Sequence, residues 1–97
     1  MKPVMTFIYM KGCHACHDVK PEFDKLAEFA KSRIDFRIAD IDEVKVSFPV
    51  PYTPTLHLSL GGRSFVTDGV RLEGDMTAEA MFNWVKACVA EVKGAQQ

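Results

Sequence analysis

The sequence has no long hydrophobic run and no strong excess of charge of either sign. No apolar stretch approaches the roughly 20 residues that a membrane-spanning helix needs. The 12 basic and 13 acidic residues leave a net charge of −1, so the basic field that attracts nucleic acid is missing. Met1-Lys2-Pro3 also runs directly into a strand pattern, without a signal-peptide cleavage region. We therefore expect a cytoplasmic protein that binds neither nucleic acid nor a membrane.

Cysteine is scarce. The chain of 97 residues has three cysteines, which are too few for a disulfide scaffold. Cys13 and Cys16 are close together and Cys88 is far away, and a close pair in a reducing compartment is usually catalytic or metal-binding. The length suits one hydrophobic core, so residues 1–97 are expected to form a single domain, and we expect a monomer.

The most informative motif is Cys13-His14-Ala15-Cys16, which follows a short apolar run and precedes a helical pattern. Two cysteines three apart in the first turn of a helix share a face, with about 5–6 Å between their Cβ atoms. The pair can therefore switch between dithiol and disulfide. The helix dipole and the free N–H groups at the helix start favour an anion, which lowers the pKa of a thiol there. This predicts that Cys13 is a nucleophile.

His14 is a further catalytic candidate, because a cation beside Cys13 would stabilise the thiolate. Two other interpretations of the motif remain open. A structural metal site would need two more ligands, and a c-type haem attachment through Cys-x-x-Cys-His would need export and a mainly helical chain. We favour the redox pair and predict no metal and no bound cofactor. The other possible metal ligands are His17, His57 and Cys88.

The first half of the sequence predicts a βαβ unit. Val4–Tyr9 is nearly continuous in apolar residues, as in a strand buried on both faces. After Gly12 the apolar spacing predicts a helix to about Lys31, with a kink at Pro21. Ile34–Ala39 alternates apolar and polar residues and predicts a second strand, parallel to the first through a right-handed crossover.

The second half predicts a ββα unit. Residues Glu43–Thr55 include three prolines and predict a loop. Thr55–Leu60 alternates and meets Gly61-Gly62, which predicts a hairpin. Ser64–Thr67 is followed by a second turn signal at Asp68-Gly69, so either one hairpin with a bulge or a three-strand meander fits.

The last helix is predicted to begin after a Thr77 cap and to end at Gly94. Cys88 lies on its apolar stripe, where a free cysteine acts as a small hydrophobe. The predicted fold class is α/β, with a central mixed sheet built from βαβ followed by ββα and flanked by helices.

These features together resemble the thioredoxin fold over nearly the whole chain. The resemblance rests on Cys13-x-x-Cys16 after a central strand, on Pro21, on Pro54-Thr55-Leu56 opening the third strand, and on Gly74 before the last helix. It implies that Cys13 attacks, that Cys16 resolves, and that Pro54 is cis and faces the disulfide. The residues then assigned to substrate binding are Gly12, Thr53, Pro54 and Gly74, with Thr53 acting through its backbone.

The sequence departs from both main subfamilies. Thioredoxins usually have Trp before the first cysteine, Gly-Pro between the pair and a buried Asp in the central strand, where this chain has Gly12, His14-Ala15 and Phe7. Glutaredoxins usually have Pro-Tyr between the cysteines and a Gly-Gly-x-Asp loop nearer the cis proline than Gly74-Asp75. The buried proton acceptor of thioredoxins is therefore missing.

The function that the resemblance implies is that of a thiol-disulfide oxidoreductase, a protein-disulfide reductase that works through a mixed disulfide. Its partners would be protein disulfides as substrates and a thioredoxin-reductase or glutathione system as reductant. A non-catalytic adaptor of the same fold, with a Cys-x-x-Cys that is only sensed or regulatory, is the alternative.

Overall fold

Four strands and two helices form the architecture of the computed structural model, which describes residues 2–68 and 76–95. The strands are β1 (Val4–Tyr9), β2 (Asp35–Asp40), β3 (Thr55–Leu60) and β4 (Arg63–Asp68). The helices are α1 (His14–Ala30) and α2 (Ala78–Ala95). The element order β1-α1-β2-β3-β4-α2 confirms the predicted βαβ and ββα halves.

The sheet is mixed, with strand order β2-β1-β3-β4. β1 runs parallel to β2 and antiparallel to β3, and β3 pairs antiparallel with β4. β1 is therefore an inner strand, which its continuous apolar run predicted. The parallel β1–β2 pair is joined by α1, and α1 continues through Pro21 to Ala30. The predicted kink at Pro21 stays a prediction.

Both helices pack on the same face of the sheet. Alternate residues of a strand point to opposite faces, so Met5 and Phe7 of β1 share one face with Leu56 and Leu58 of β3. All four are buried, and they form one core with α1 and α2. The helix residues in this core are Cys16, Phe23, Leu26 and Ala30 of α1 and Met81, Val85 and Cys88 of α2. No helix among the described residues is long and apolar enough to cross a membrane.

The hairpin between β3 and β4 is confirmed at the predicted place. Gly61 and Gly62 have φ angles of 58° and 78°. Both angles are positive, as the type I′ turn of a two-residue hairpin requires, and glycine adopts them without steric cost. The second predicted turn begins at Asp68, the last residue of β4, and a third strand of a meander would lie outside the described residues.

The boundaries of α2 confirm one prediction and contradict another. Thr77 is the cap, because its Oγ1 accepts a hydrogen bond of 3.1 Å from the Ala80 N–H. The predicted end at Gly94 is wrong, since α2 continues to Ala95. A terminal glycine stops a helix by adopting a left-handed conformation, and Gly94 does not have a positive φ.

Strand β2 begins at Asp35, one residue after the predicted start.

The loop between β2 and β3 lies against the other face of the sheet. His57 alternates with Leu56 and Leu58 and so points away from the helices. Its ring stacks on that of Phe48, with 4.6 Å between centroids and 3° between planes. The stacked pair fixes the loop to the sheet shortly before the loop ends at Pro54.

Protonation of His57 is expected to destabilise the fold. Burial lowers the pKa of His57 from 6.5, so the unfolded chain binds this proton more tightly than the folded chain does. The resulting stability is complete above the unfolded pKa and is lost as the pH falls through about 6.5. The free energy of unfolding, measured by urea titration between pH 8 and pH 5, should fall more steeply in the wild type than in His57→Gln. Parallel curves would contradict this.

Candidate active site

The turn between β1 and α1 places the two cysteines in different environments. Gly12 has φ +81°, and a Cβ built there meets no atom within 4 Å, so its backbone conformation rather than space calls for glycine. The Cys13 N–H donates to the Met10 carbonyl over 3.1 Å. Cys13 then caps α1 in an extended conformation, with φ −76° and ψ 110°. Cys16 lies inside the first turn of the helix.

Cys13 and Cys16 form a disulfide, with 5.2 Å between their Cα atoms. Cys16 is only 5% exposed and belongs to the hydrophobic core, whereas Cys13 is partly exposed. A sulfur that approaches from solvent therefore reaches Cys13 more easily than Cys16. This asymmetry agrees with the predicted order of an attacking Cys13 and a resolving Cys16.

Two donors point at the Cys13 sulfur. The Cys16 N–H lies 3.1 Å from Cys13 Sγ, and the Thr53 hydroxyl donates to the same atom over 3.3 Å. The Thr53 carbonyl oxygen lies 3.5 Å from it. In the reduced protein the two donors and the helix dipole would all stabilise a thiolate at Cys13.

The start of β3 brings Thr53 to this position. Thr55 pairs with Ile8 across the two inner strands, so β3 begins where β1 ends. The Thr53–Pro54 peptide bond is cis, as the resemblance implied, and Pro54 is buried. The sequence assigned only the backbone of Thr53 to the site and missed its hydroxyl. A threonine that precedes a proline does not by itself reveal where its hydroxyl points.

Removing the Thr53 hydroxyl is expected to make Cys13 less reactive. Thr53→Val keeps the shape of the side chain but loses one donor to the sulfur, and a hydrogen bond of this kind contributes about 1 kcal/mol. Alkylation of reduced Cys13 by iodoacetamide at pH 7 should slow about threefold or more in Thr53→Val. Thr53→Ser keeps the hydroxyl and is the matched control. Equal rates in all three proteins would mean that the Thr53 hydroxyl does not stabilise the thiolate.

A groove of about 370 Å³ adjoins the disulfide on the β2 side. Both cysteines and Gly12 line it, and its apolar wall is formed by Phe7, Tyr9, Met10 and Ile38. Met10 and Ile38 are 43% and 55% exposed, so large apolar side chains border the cysteine pair. The groove leaves room for part of a substrate beside the sulfurs.

Lys11 lies at the same groove and makes two ion pairs. Its Nζ is 3.4 Å from Glu43 Oε1 and 3.8 Å from Asp40 Oδ2. The Asp40 side chain is only 1% exposed, and its Oδ1 accepts the Asp42 N–H over 2.9 Å. These contacts tie the turn after β2 to the turn that holds Cys13.

The structure tests only some of the remaining sequence predictions about the site. His14 is exposed at the first position of α1 and makes no hydrogen bond to either sulfur, so its effect on the thiolate stays a prediction. Gly74 lies outside the described residues. Phe7 is buried and packs on Phe23 with 5.1 Å between ring centroids, in the place where thioredoxins were expected to have a carboxylate. Among the described residues no group of three His, Cys, Asp or Glu side chains could hold a metal ion.

No family model and no curated protein matches the sequence. Solved structures do match. Thioredoxin-2, described as a component of the malaria parasite protein secretion machinery, is 21% identical with a TM-score of 0.74, over 89% of this chain and 82% of that chain. The germline-specific thioredoxin Deadhead of Drosophila melanogaster is 16% identical with a TM-score of 0.71, over 89% and 80%. Fasciola hepatica thioredoxin is 14% identical with a TM-score of 0.70, over 89% and 80%.

These likenesses agree with the mixed four-stranded sheet and its two helices. All three identities are below 25%, so they establish architecture and leave activity to the site itself. The chain has the thioredoxin fold, with Cys13 and Cys16 as a Cys-x-x-Cys pair at disulfide distance.

Proposed function

We propose that this protein is a thiol-disulfide oxidoreductase that reduces or exchanges protein disulfides. The observation that carries the proposal is the Cys13 sulfur, which is partly exposed at the start of α1 and accepts hydrogen bonds from the Cys16 N–H and the Thr53 hydroxyl. A structural disulfide needs neither donor. A reactive thiolate is stabilised by both.

In this mechanism the Cys13 thiolate attacks one sulfur of a substrate disulfide. A Cys13–substrate bond forms, and the other substrate sulfur leaves as a thiolate that takes a proton from water. Cys16 then loses its proton and attacks the Cys13 sulfur, which releases the second substrate thiol. The substrate gains two electrons and two protons, and the protein ends as the Cys13–Cys16 disulfide.

The oxidised protein must then be reduced by an external dithiol or by two thiols. A thioredoxin-reductase or a glutathione system in a reducing compartment such as the cytoplasm would supply these electrons. The backbone at Thr53 and Pro54, just before β3, would hold a substrate strand through main-chain hydrogen bonds, with little dependence on substrate side chains. His14 would add positive charge beside Cys13 when protonated.

Reduction of insulin by dithiothreitol tests the proposal. We expect catalytic amounts of the protein to shorten the lag before insulin precipitates. Cys88→Ser is the matched cysteine control and should act like the wild type, because burial raises the pKa of the Cys88 thiol to about 11 and keeps it from reacting. If the protein folds and its cysteines oxidise and reduce but no acceleration occurs, the adaptor interpretation is favoured instead.

A further inference from the structure

A second surface of the molecule combines an exposed and a half-buried aromatic ring with two cations that have no ion pair within the described residues. It lies where the end of α1 meets the start of α2, and we call it the Phe29 patch. Its members are Phe29, Arg33, Phe82 and Lys86. Phe29 is 66% exposed, the highest value among the exposed large hydrophobic residues of the described chain. Helix geometry separates it from Cys13 by roughly 24 Å along α1.

The rings and cations of the patch hold each other in place. The Phe29 and Phe82 rings meet edge to face, with 5.5 Å between centroids and 88° between planes. The Arg33 guanidinium lies 5.5 Å from the Phe29 centroid and 5.7 Å from that of Phe82, and Lys86 Nζ lies 5.2 Å from the Phe82 centroid. Contacts of this kind fix long side chains that would otherwise be mobile.

Neither cation has a carboxylate partner in the part of the chain that the structure describes. Within residues 2–68 and 76–95, no Asp or Glu oxygen lies within 4.0 Å of the charged nitrogens of Arg33 or Lys86. Five other lysines are paired, as Lys31 is with Glu28 at 3.0 Å, whereas Lys45 and Lys93 likewise have no ion pair within these residues. No carboxylate of the described residues therefore occupies the N–H donors of the planar Arg33 guanidinium, which suit a carboxylate from outside.

An apolar groove adjoins these cations. It has a volume of about 240 Å³ between α1 and α2, and its walls include Leu26, Phe29, Ala78 and Phe82. Of its two charged lining residues, Lys25 is paired with Glu22 at 2.7 Å, and Glu79 is the single carboxylate in the wall. Among the described residues, cations thus exceed carboxylates across the groove and the patch together.

We propose that the Phe29 patch binds an acidic segment of another protein that carries bulky apolar side chains. The apolar side chains would fill the groove and cover Phe29, while carboxylates of the segment would pair with Arg33 and Lys86. Aromatic residues and arginine at the centre of a surface are the composition of binding hot spots. The proposal is independent of the redox function, because no member of the patch touches Cys13 or Cys16.

The test uses the full chain and three labelled peptides of about four helical turns. The first peptide has leucines at helical spacing and glutamates elsewhere. The second replaces the glutamates with lysines, and the third replaces the leucines with serines. Fluorescence anisotropy gives the affinity of each peptide, and amide chemical shifts show where the peptide lies. We expect the acidic leucine peptide to bind at least about fivefold more tightly than either of the others.

Matched variants locate the binding. Arg33→Glu should weaken binding of the acidic leucine peptide about fivefold or more, and Phe29→Ser should weaken this binding similarly. Lys31→Glu changes the same charge two residues from Arg33 and should change affinity less than twofold. The proposal would be overturned if the acidic and basic peptides bound equally tightly, or if Lys31→Glu lost as much affinity as Arg33→Glu. Amide chemical-shift changes centred on the cysteines would also overturn it. So would self-association through the patch, seen by sedimentation and removed by Phe29→Ser.

Discussion

Replacing Cys13 with serine is expected to abolish disulfide reduction, whereas Cys16→Ser should stop the reaction halfway. Only Cys13 combines exposure with the donors from Cys16 and Thr53. Without Cys13 no mixed disulfide forms. Without Cys16 the mixed disulfide forms but is not resolved, so the substrate remains attached. The rate of insulin reduction should fall to background in both variants.

Mass spectrometry distinguishes the two variants. Both are best made in a Cys88→Ser background, so that each retains a single cysteine. With a model disulfide peptide, Cys16→Ser should gain the mass of one peptide half, and Cys13→Ser should gain nothing over the same period. Adduct formation mainly at Cys16 would reverse the assigned roles. The same trapped adduct, collected from a cell extract, would identify the substrates of the protein.

Truncating Phe7 is expected to cause a large loss of stability. Phe7 is 1% exposed, packs on Phe23 and lines the same groove as Cys13. Phe→Ala at such a position costs about 3–5 kcal/mol, because transfer energy is lost and a cavity remains. That is a large share of the free energy of unfolding of a small domain, and it should lower Tm by at least about 12 °C.

Phe29→Ala is the matched control for Phe7→Ala. It removes the same side chain from an exposed position and loses one ring contact with Phe82 and one contact with the Arg33 guanidinium, so it should cost about 1 kcal/mol or less. Urea titration of the oxidised proteins gives both values. Similar losses in the two variants would mean that Phe7 is not part of a packed core.

Local patterns predicted much of this fold correctly. The apolar run at Val4–Tyr9 gave β1 its inner place, and Gly61-Gly62 marked the hairpin because positive φ at two successive residues strongly favours glycine. The prediction that α2 ends at Gly94 was wrong, because a glycine ends a helix only if its backbone adopts a left-handed conformation. The sequence alone does not report whether it does. β2 begins at Asp35 and not at the predicted Ile34, and strand ends commonly vary by one residue.

The sequence predicted which residues come together at the site but not their side-chain contacts. The spacing of Cys13 and Cys16 predicted a pair that can form a disulfide, and the resemblance supplied Thr53 and the cis Pro54. The Thr53 hydroxyl, the groove beside Ile38 and the pair of Lys11 with Asp40 depend on side chains that are distant in sequence. No periodicity or motif reports such contacts. They follow only from the register of the sheet and the path of the loop between β2 and β3.

The position of the cysteine pair and Thr53 beside the ends of the two inner strands has a consequence for local unfolding of the protein. β1 leads into Cys13 and β3 follows Pro54, and the two strands are paired directly. Edge strands can detach in local fluctuations, whereas separation of inner strands requires nearly complete unfolding. Slow amide exchange should therefore be concentrated along β1 and β3. The cysteine pair and Thr53 would stay together through every partial opening and separate only when the whole molecule unfolds.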